Sequence, residues 1–169
     1  IFGSVIDAVS GEARQAVSNE ADASQIKLDH GTGFSADTWY HIVLTYNLGS
    51  GTDSVFLYVD GTKNSHGAGS TVTVGSNWTQ PINAGCAFTI GEIGAAHADI
   101  TVDEVAIFDE ELTQSQVNDL YGDGTPGDVA TISDYISGWW KMGDGDTFPT
   151  LSDSSGNGID LTMTNMASD

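Results

Sequence analysis

The feature that most limits the fold is a series of short segments with alternating apolar residues, separated by glycine-rich turns. The clearest segment is 39–46, where Tyr40, Ile42, Leu44 and Tyr46 fall on one face of a strand. Similar segments follow at 55–59, 86–90, 100–108, 137–142 and 159–163. With 21 glycines, the chain has many positions at which a strand can turn. The pattern predicts an all-β fold of short antiparallel strands.

Two local signals indicate where strands turn or bend. Asp60-Gly61 follows the strand 55–59 and is a strong hairpin signal, because both residues tolerate a left-handed backbone. In the segment 100–108 the apolar positions change parity around Asp103 and Glu104. A β-bulge at these two acids would explain the change and would re-aim one carboxylate.

One short helix is predicted after these strands. Thr113 and Gln116 have the spacing of a capping box, and Leu112 and Val117 have that of a hydrophobic staple. Gly122 follows as a stop signal. A helix of about two turns is too short to be stable alone and must pack on the sheets. Strands and helix together predict a two-sheet antiparallel β-sandwich with one short helix.

The acidity of the chain limits its partners. Lys and Arg number 4 against 24 Asp and Glu, and the net charge is −20 at pH 7. Because four Lys and Arg side chains are too few to neutralise phosphate groups, we expect no binding to nucleic acid or to anionic membranes. No apolar run reaches the roughly 18 residues of a membrane span, so we expect no membrane insertion. The single cysteine, Cys86, excludes an intrachain disulfide and is expected in the core.

Five segments follow one another in a fixed order along the chain. They are 39–46, 55–61, 88–91, 100–108 and 112–121. This order resembles that of laminin G-like modules in the concanavalin A-like lectin/glucanase superfamily. The resemblance implies a jelly-roll sandwich that recognises other molecules without catalysis.

The C-terminal part departs from that order. We expect 1–122 to form the body of the sandwich, 123–136 a connector, and 137–169 the segment that normally opens such a module. Two alternatives remain: this last segment completes the sandwich of its own chain, or it starts the next module of a tandem array. In either case we expect 137–166 to pair with the body, in the same chain or in a neighbour, because an unpaired edge recruits strands.

The loop 153–158 has two interpretations. It places Asp, Ser, Asn and Gly at the first, third, fifth and sixth positions of an EF-hand-like loop, but the twelfth position, Thr164, is not glutamate. One interpretation is an Asx-type turn stabilised by its own side chains. The other rests on the resemblance, in which such a loop lies near an acidic pair of a late strand. That resemblance implies a Ca²⁺ ion shared by Asp153, Asn157 and Asp103.

The sequence contains no recognisable catalytic motif. Glucanases of the superfamily carry Glu-x-Asp-x-x-Glu on one strand, a pattern that this chain lacks, and Glu104 has no acidic partner two or four residues later. The run 109–111 is expected to be a solvated turn. The histidines have no zinc-site spacing, and His41 is expected to be a satisfied histidine within the sheet. We therefore expect no enzyme activity.

Tryptophans supply the candidate ligand-binding side chain. Trp78 lies in the polar loop 75–81, where it would either stack on a sugar ring or fold over a sheet face. Asn77, which precedes it, is the second candidate ligand-binding residue. Trp39, Trp139 and Trp140 fall in predicted strands and are expected in the core.

These observations favour a non-catalytic recognition module of a larger extracellular or virion-surface protein. It would be adhesive and calcium-dependent, with a glycan or a protein surface as its partner. The alternative is a structural, self-associating virion or fibre decoration domain, in which neighbouring copies or modules pair through strands.

Overall fold

Antiparallel strands dominate the molecule. The computed structural model describes residues 2–6, 12–19, 22–47, 54–63, 71–72, 92–93, 96–97, 100–143 and 145–163. One α-helix, α1 (Gln114–Tyr121), occurs in these ranges, together with 3-10 helices at Gly122–Gly124 and Val129–Tyr135. The strands are β1 (Phe2–Ile6), β2 (Glu12–Asn19), β3 (Asp22–Gly33), β4 (Ile42–Asn47), β5 (Ser54–Val59), β6 (Thr62–Lys63), β7 (Thr71–Val72), β8 (Glu92–Ile93), β9 (Ala96–His97), β10 (Val105–Phe108), β11 (Ile136–Trp140), β12 (Thr150–Leu151) and β13 (Leu161–Thr162).

The described strands form several small sheets. The largest has the order β1-β2-β3-β7, and a second has the order β4-β5-β6. Three further pairs are β8-β9, β10-β11 and β12-β13. Every one of these pairings is antiparallel, as the alternating pattern predicted.

The turn between β5 and β6 confirms the hairpin prediction. Val59 pairs with Thr62, so Asp60 and Gly61 form a two-residue connection. Their φ angles are 50° and 72°. Two left-handed residues in succession match the twist of the flanking strands, which explains the choice of aspartate followed by glycine.

The strand predicted from residue 39 begins only at Ile42, and the expectation that Trp39 lies in the core is wrong. The Trp39 side chain is 66% exposed. Upstream of β4 the chain turns through Asp37, whose φ is 56°. Tyr40 then packs edge-on against Phe34, with ring centroids 4.5 Å apart. Because neighbouring side chains of an extended segment point to opposite sides, Trp39 faces solvent.

The bulge predicted at Asp103 and Glu104 is also not found there. β10 starts one residue after Glu104, whose φ is 51°. This left-handed residue ends the extended backbone, so the change of parity arises outside the strand and not from an extra residue within it. The register irregularity lies instead between Ile107 and Phe108.

Helix α1 has the termini that the sequence predicted. The Thr113 N–H donates to Gln116 Oε1 at 2.8 Å, and the Gln116 N–H donates to Thr113 Oγ1 at 3.3 Å. Gly122 closes the helix with φ 54°. Val117 and Leu120 are buried, so this face of the helix supplies the packing energy that the short helix needs.

The core joins the C-terminal segment to the rest of the molecule. β11 runs antiparallel to β10 in the same chain, with Trp139 opposite Ala106. Trp139 and Trp140 are buried, as expected from the sequence. One apolar cluster takes side chains from β5, the segment before α1, α1 itself, the 3-10 helix Val129–Tyr135 and β11: Tyr58, Leu112, Val117, Leu120, Val129, Ile132 and Trp139. Residues well beyond the helix therefore help to bury it.

Candidate functional site

The loop after β11 is organised around one carboxylate. Asp153 Oδ1 accepts the backbone N–H groups of Trp139 at 3.0 Å and Ser155 at 2.8 Å. Its Oδ2 accepts the Ser155 hydroxyl at 2.8 Å and the Ile159 N–H at 2.9 Å. Desolvation raises the pKa of Asp153, but the donors from Ile159, Ser155 and Trp139 together lower it by more, to well below its usual range. This carboxylate ties the loop to β11.

The other two residues of the predicted calcium site have separate contacts. The Asn157 side-chain amide donates to the carbonyl oxygens of Ile136 and Ser137 at 3.0 and 3.1 Å. Asp103 is exposed in the segment before β10, where its Oδ1 accepts the N–H of Glu104. Asn157 therefore stabilises the start of β11, whereas the side chain of Asp103 bonds to the neighbouring backbone of its own segment.

Glu104, and not Asp103, reaches the C-terminal segment. Its Oε2 accepts the indole N–H of Trp139 at 2.6 Å. Asp153 binds the backbone of the same tryptophan. Asp153 and Glu104 therefore both bind Trp139, one at its backbone and the other at its indole. The spacing of these residues in the sequence did not predict this arrangement.

This arrangement bears on calcium binding. Ca²⁺ takes six to eight oxygen ligands. Both carboxylate oxygens of Asp153 already accept two hydrogen bonds each, and the contacts of Asn157 use its NH₂ group. No group of three or more His, Cys, Asp or Glu in the described ranges is placed to hold a metal ion. Calcium at Asp153, Asn157 and Asp103 stays a prediction, and the side chains as arranged fit the Asx-type turn better.

The predicted ligand-binding residues, Trp78 and Asn77, lie outside the described residues, as does Cys86. The structure reveals a different concave surface, which we call the acidic groove. It is open to solvent and has a volume of about 870 Å³. It lies between the β5–β6 turn, the C-terminal end of α1 and the segment that follows. Its lining residues are Asp60, Gly61, Thr62, Asn118, Asp119, Tyr121, Gly122, Asp123, Asp128 and Thr131.

One wall of the acidic groove is the β5–β6 turn held against α1. Gln114 Nε2 donates to the carbonyl oxygen of Gly61 at 2.9 Å and to Asn118 Oδ1 at 2.8 Å. A Cβ at position 61 would lie 3.0 Å from the Tyr121 ring. Glycine therefore allows both the left-handed turn and the close approach of the helix.

The opposite wall follows the helix. After the left-handed Gly122, Asp123 has φ 53°, so the chain reverses within a few residues. Asp128 Oδ1 then accepts the N–H of Ala130 at 2.9 Å at the start of the next 3-10 helix. These two acids, with Asp60 and Asp119, bring four carboxylates to the acidic groove from three chain segments.

His41 lies behind the acidic groove, just before β4. Its backbone N–H donates to Asp60 Oδ1 at 2.9 Å, and the Asp60 N–H donates to the His41 carbonyl at 2.9 Å. The imidazole stacks on Tyr121, with centroids 5.9 Å apart and an interplanar angle of 25°. Its buried Nδ1 has no hydrogen-bond partner, so the expectation of a satisfied histidine within the sheet is wrong. Burial lowers the pKa of His41, although Asp60 acts in the opposite direction.

Comparison with known proteins assigns the chain to a family. A laminin G-type family model, described as the concanavalin A-like lectin/glucanases superfamily, matches residues 5–118. Searches of curated proteins and of solved structures gave no significant match. In the described ranges no helix has the length and apolar character needed to cross a membrane. Because the family match spans more than half of the sequence and agrees with the resemblance in segment order, the chain belongs to the laminin G-like domains of the concanavalin A-like lectin/glucanase superfamily.

Proposed function

We propose that this chain is a non-catalytic recognition module that binds a neutral carbohydrate in the acidic groove. Laminin G-like domains are typically binding modules without enzyme activity and are usually extracellular. We also propose that the antiparallel sheets pack as the jelly-roll sandwich typical of the superfamily. The single observation that carries the functional proposal is the acidic groove itself, because it gathers polar side chains on a concave surface beside an aromatic ring.

The side chains of the acidic groove match the needs of a sugar. Sugar hydroxyls are good donors to carboxylates, and such charge-assisted bonds are about twice as strong as neutral ones. Asp119 and Asp123 are exposed at the groove and can accept them, while Asn118 and Thr131 add further polar groups. Anionic glycans are poor candidates, because a net charge of −20 repels them.

The pKa values of two described carboxylates bear on the choice between recognition and catalysis. A glycosidase needs a carboxylic acid whose pKa is raised so that it can protonate the leaving group. Where the pKa of a described carboxylate departs from its ordinary value, at Asp146 and Asp153, it is lowered. At Asp146 the largest cause of the lowered pKa is the hydrogen bond from the Ser152 N–H. At Asp153 desolvation raises the pKa, but the hydrogen bonds from Ile159, Ser155 and Trp139 together lower it by more.

Strand pairing bears on the self-associating alternative. The sequence argument for that alternative was the departure from the family's strand order, because modular arrays and strand exchange suit assemblies. In this chain β11 pairs with β10, so the strand around 137–142 has a partner within its own chain. The specific argument for strand exchange between copies is thereby weakened, and recognition is the function we favour.

Paired variants test the proposal with matched charge. The variant Asp119→Asn/Asp123→Asn removes two carboxylates from the acidic groove, and asparagine tolerates the left-handed backbone at position 123. The control variant Asp109→Asn/Asp134→Asn removes two exposed carboxylates elsewhere. Binding to immobilised neutral oligosaccharides is measured for the wild type and for both variants. We expect the groove variant to lose about tenfold or more in affinity, as loss of a charged hydrogen bond implies, and the control to keep it.

Two outcomes would contradict the proposal. One is a wild-type protein that binds none of the neutral oligosaccharides. The other is a control variant that loses as much affinity as the groove variant, since the effect would then reflect overall charge and not the acidic groove.

A further inference from the structure

One aromatic side chain stands out among the described residues by its exposure. Trp39 is 66% exposed, more than any other exposed large hydrophobic side chain that the structure describes. The next are Phe148 and Ile159, each at 49%. Leaving an indole in water forgoes the stabilisation that burial of a large apolar side chain contributes. The position therefore calls for an explanation other than packing.

The loop that carries Trp39 is fixed on both sides of it. Before it, the Ser35 N–H donates to the Tyr40 hydroxyl at 2.9 Å. The Tyr40 ring packs edge-on against Phe34. After it, the His41 N–H donates to Asp60 Oδ1, and the Asp60 N–H donates to the His41 carbonyl oxygen. An exposed ring on a loop held this way loses little conformational entropy when a ligand covers it, which favours binding.

The contacts of His41 place the backbone of Trp39 near the acidic groove. Asp60 lines the groove and accepts the backbone N–H of His41. Trp39 lies two residues earlier, so its Cα is within about 7 Å of that of His41. His41 in turn stacks on Tyr121, another lining residue. Trp39 is not itself a lining residue, but its backbone lies close to Asp60, beside what we call the rim of the acidic groove.

The geometry points to Trp39 as the platform on which a sugar ring stacks, an inference that rests on the proposed function. The face of an indole carries negative charge density and attracts the weakly positive C–H groups on one face of a pyranose. The hydroxyls at the ring edge are then free to donate to the carboxylates of the acidic groove. The ligand class is a neutral oligosaccharide whose rings present an apolar C–H face.

Calorimetric titration with neutral tetrasaccharides tests this inference. Cellotetraose, chitotetraose and mannotetraose are titrated into the full chain and into the variants Trp39→Ala, Trp39→Phe and Phe148→Ala. We expect Trp39→Ala to weaken binding by about tenfold and Trp39→Phe by less, because the smaller ring keeps part of the stacking. Phe148→Ala removes another exposed aromatic and should leave affinity unchanged. Melting midpoints should remain within about 2 °C of wild type, since exposed side chains contribute little to stability.

The outcomes separate this inference from the proposed function. Wild-type binding that Trp39→Ala leaves unchanged would overturn the role of Trp39 and leave carbohydrate recognition standing. If Trp78→Ala then removed the binding, the platform would be the tryptophan that the sequence analysis named. No binding of any tetrasaccharide by the wild type would overturn both proposals. Equal losses in Trp39→Ala and Phe148→Ala would also overturn the assignment, because the effect would not be specific to the rim.

Discussion

Replacing Asp153 with asparagine is expected to destabilise the module measurably. Each carboxylate oxygen of Asp153 accepts two hydrogen bonds, and together they hold the backbone of Trp139, Ser155 and Ile159. Asparagine has the same shape but turns one of the two acceptors into an NH₂ donor. That group then faces two donors and can accept from neither.

The magnitude follows from the number of bonds lost. A hydrogen bond contributes about 1 kcal/mol net, and one to a charged group contributes more. Asp153 is only partly buried, so water replaces some of what is lost. Loss of two bonds therefore gives about 2 kcal/mol. For a chain of this length that lowers the melting midpoint by about 4–8 °C.

The pH dependence of this effect has a definite sign. The folded-state pKa of Asp153 lies below its unfolded value, which is about 3.9. Its stabilising contribution is then complete above the unfolded pKa and is lost as the pH falls through the folded one. The difference in midpoint between wild type and Asp153→Asn should be constant from about pH 5 to 8 and shrink below about pH 4.

Thermal melts followed by circular dichroism measure both the fall in melting midpoint and its dependence on pH, with Asp134→Asn as the control. Asp134 is exposed, so this control removes the same charge without removing the loop contacts. A midpoint for Asp153→Asn within 1–2 °C of that of Asp134→Asn would refute the argument that this carboxylate holds the loop on β11.

Three further predictions follow from the same contacts. Thr113→Ala removes the helix cap and should cost about 1 kcal/mol in the free energy of unfolding, whereas Thr113→Ser should restore most of it; chemical denaturation measures both. Gly61→Ala places a methyl group 3.0 Å from the Tyr121 ring at a φ of 72°, so we expect a loss of about 1–2 kcal/mol by the same assay, and a neutral result would contradict the close packing of turn and helix. If Asp153 serves the turn and not an ion, the fall in melting midpoint of Asp153→Asn should be the same in EDTA and in millimolar calcium; a fall seen only in calcium would restore the predicted metal site.

Local features were the most predictable from the sequence. The Asp60-Gly61 turn and the capping box of Thr113 and Gln116 depend on residues a few positions apart, so their spacing carries the information. The order of strands was equally informative, because it led to the family. The burial of Trp139 and Trp140 followed from their place in an apolar strand.

Features that depend on distant residues were not predictable in the same way. Trp39 has the parity of a strand residue, but a left-handed turn at Asp37 and the packing of Tyr40 on Phe34 delay the strand and leave the indole exposed. Glu104 has a left-handed backbone that ends the extended segment, and it does not form a β-bulge. Its contact with the indole of Trp139 helps to explain this conformation. Neither contact has a signature in local spacing.

The acidic groove could not be derived from the sequence for a similar reason. Its walls come from residues 60–62 and 118–131, which meet only when the β5–β6 turn packs against α1. Its acids lie in separate segments of the sequence, and no motif connects them. Tertiary packing, and not any motif, makes the concave surface.

Chemical-shift mapping tests the central claim most directly. The ¹⁵N-labelled chain is titrated with whichever neutral tetrasaccharide binds it, and the backbone amide signals are followed. We predict shifts concentrated at the acidic groove and its rim, at Trp39, Gly61, Asn118, Tyr121 and Thr131, with the signals of β12 and β13 unchanged. Shifts confined to residues away from the acidic groove, or no shifts with any neutral tetrasaccharide, would contradict the claim that this groove is the recognition site.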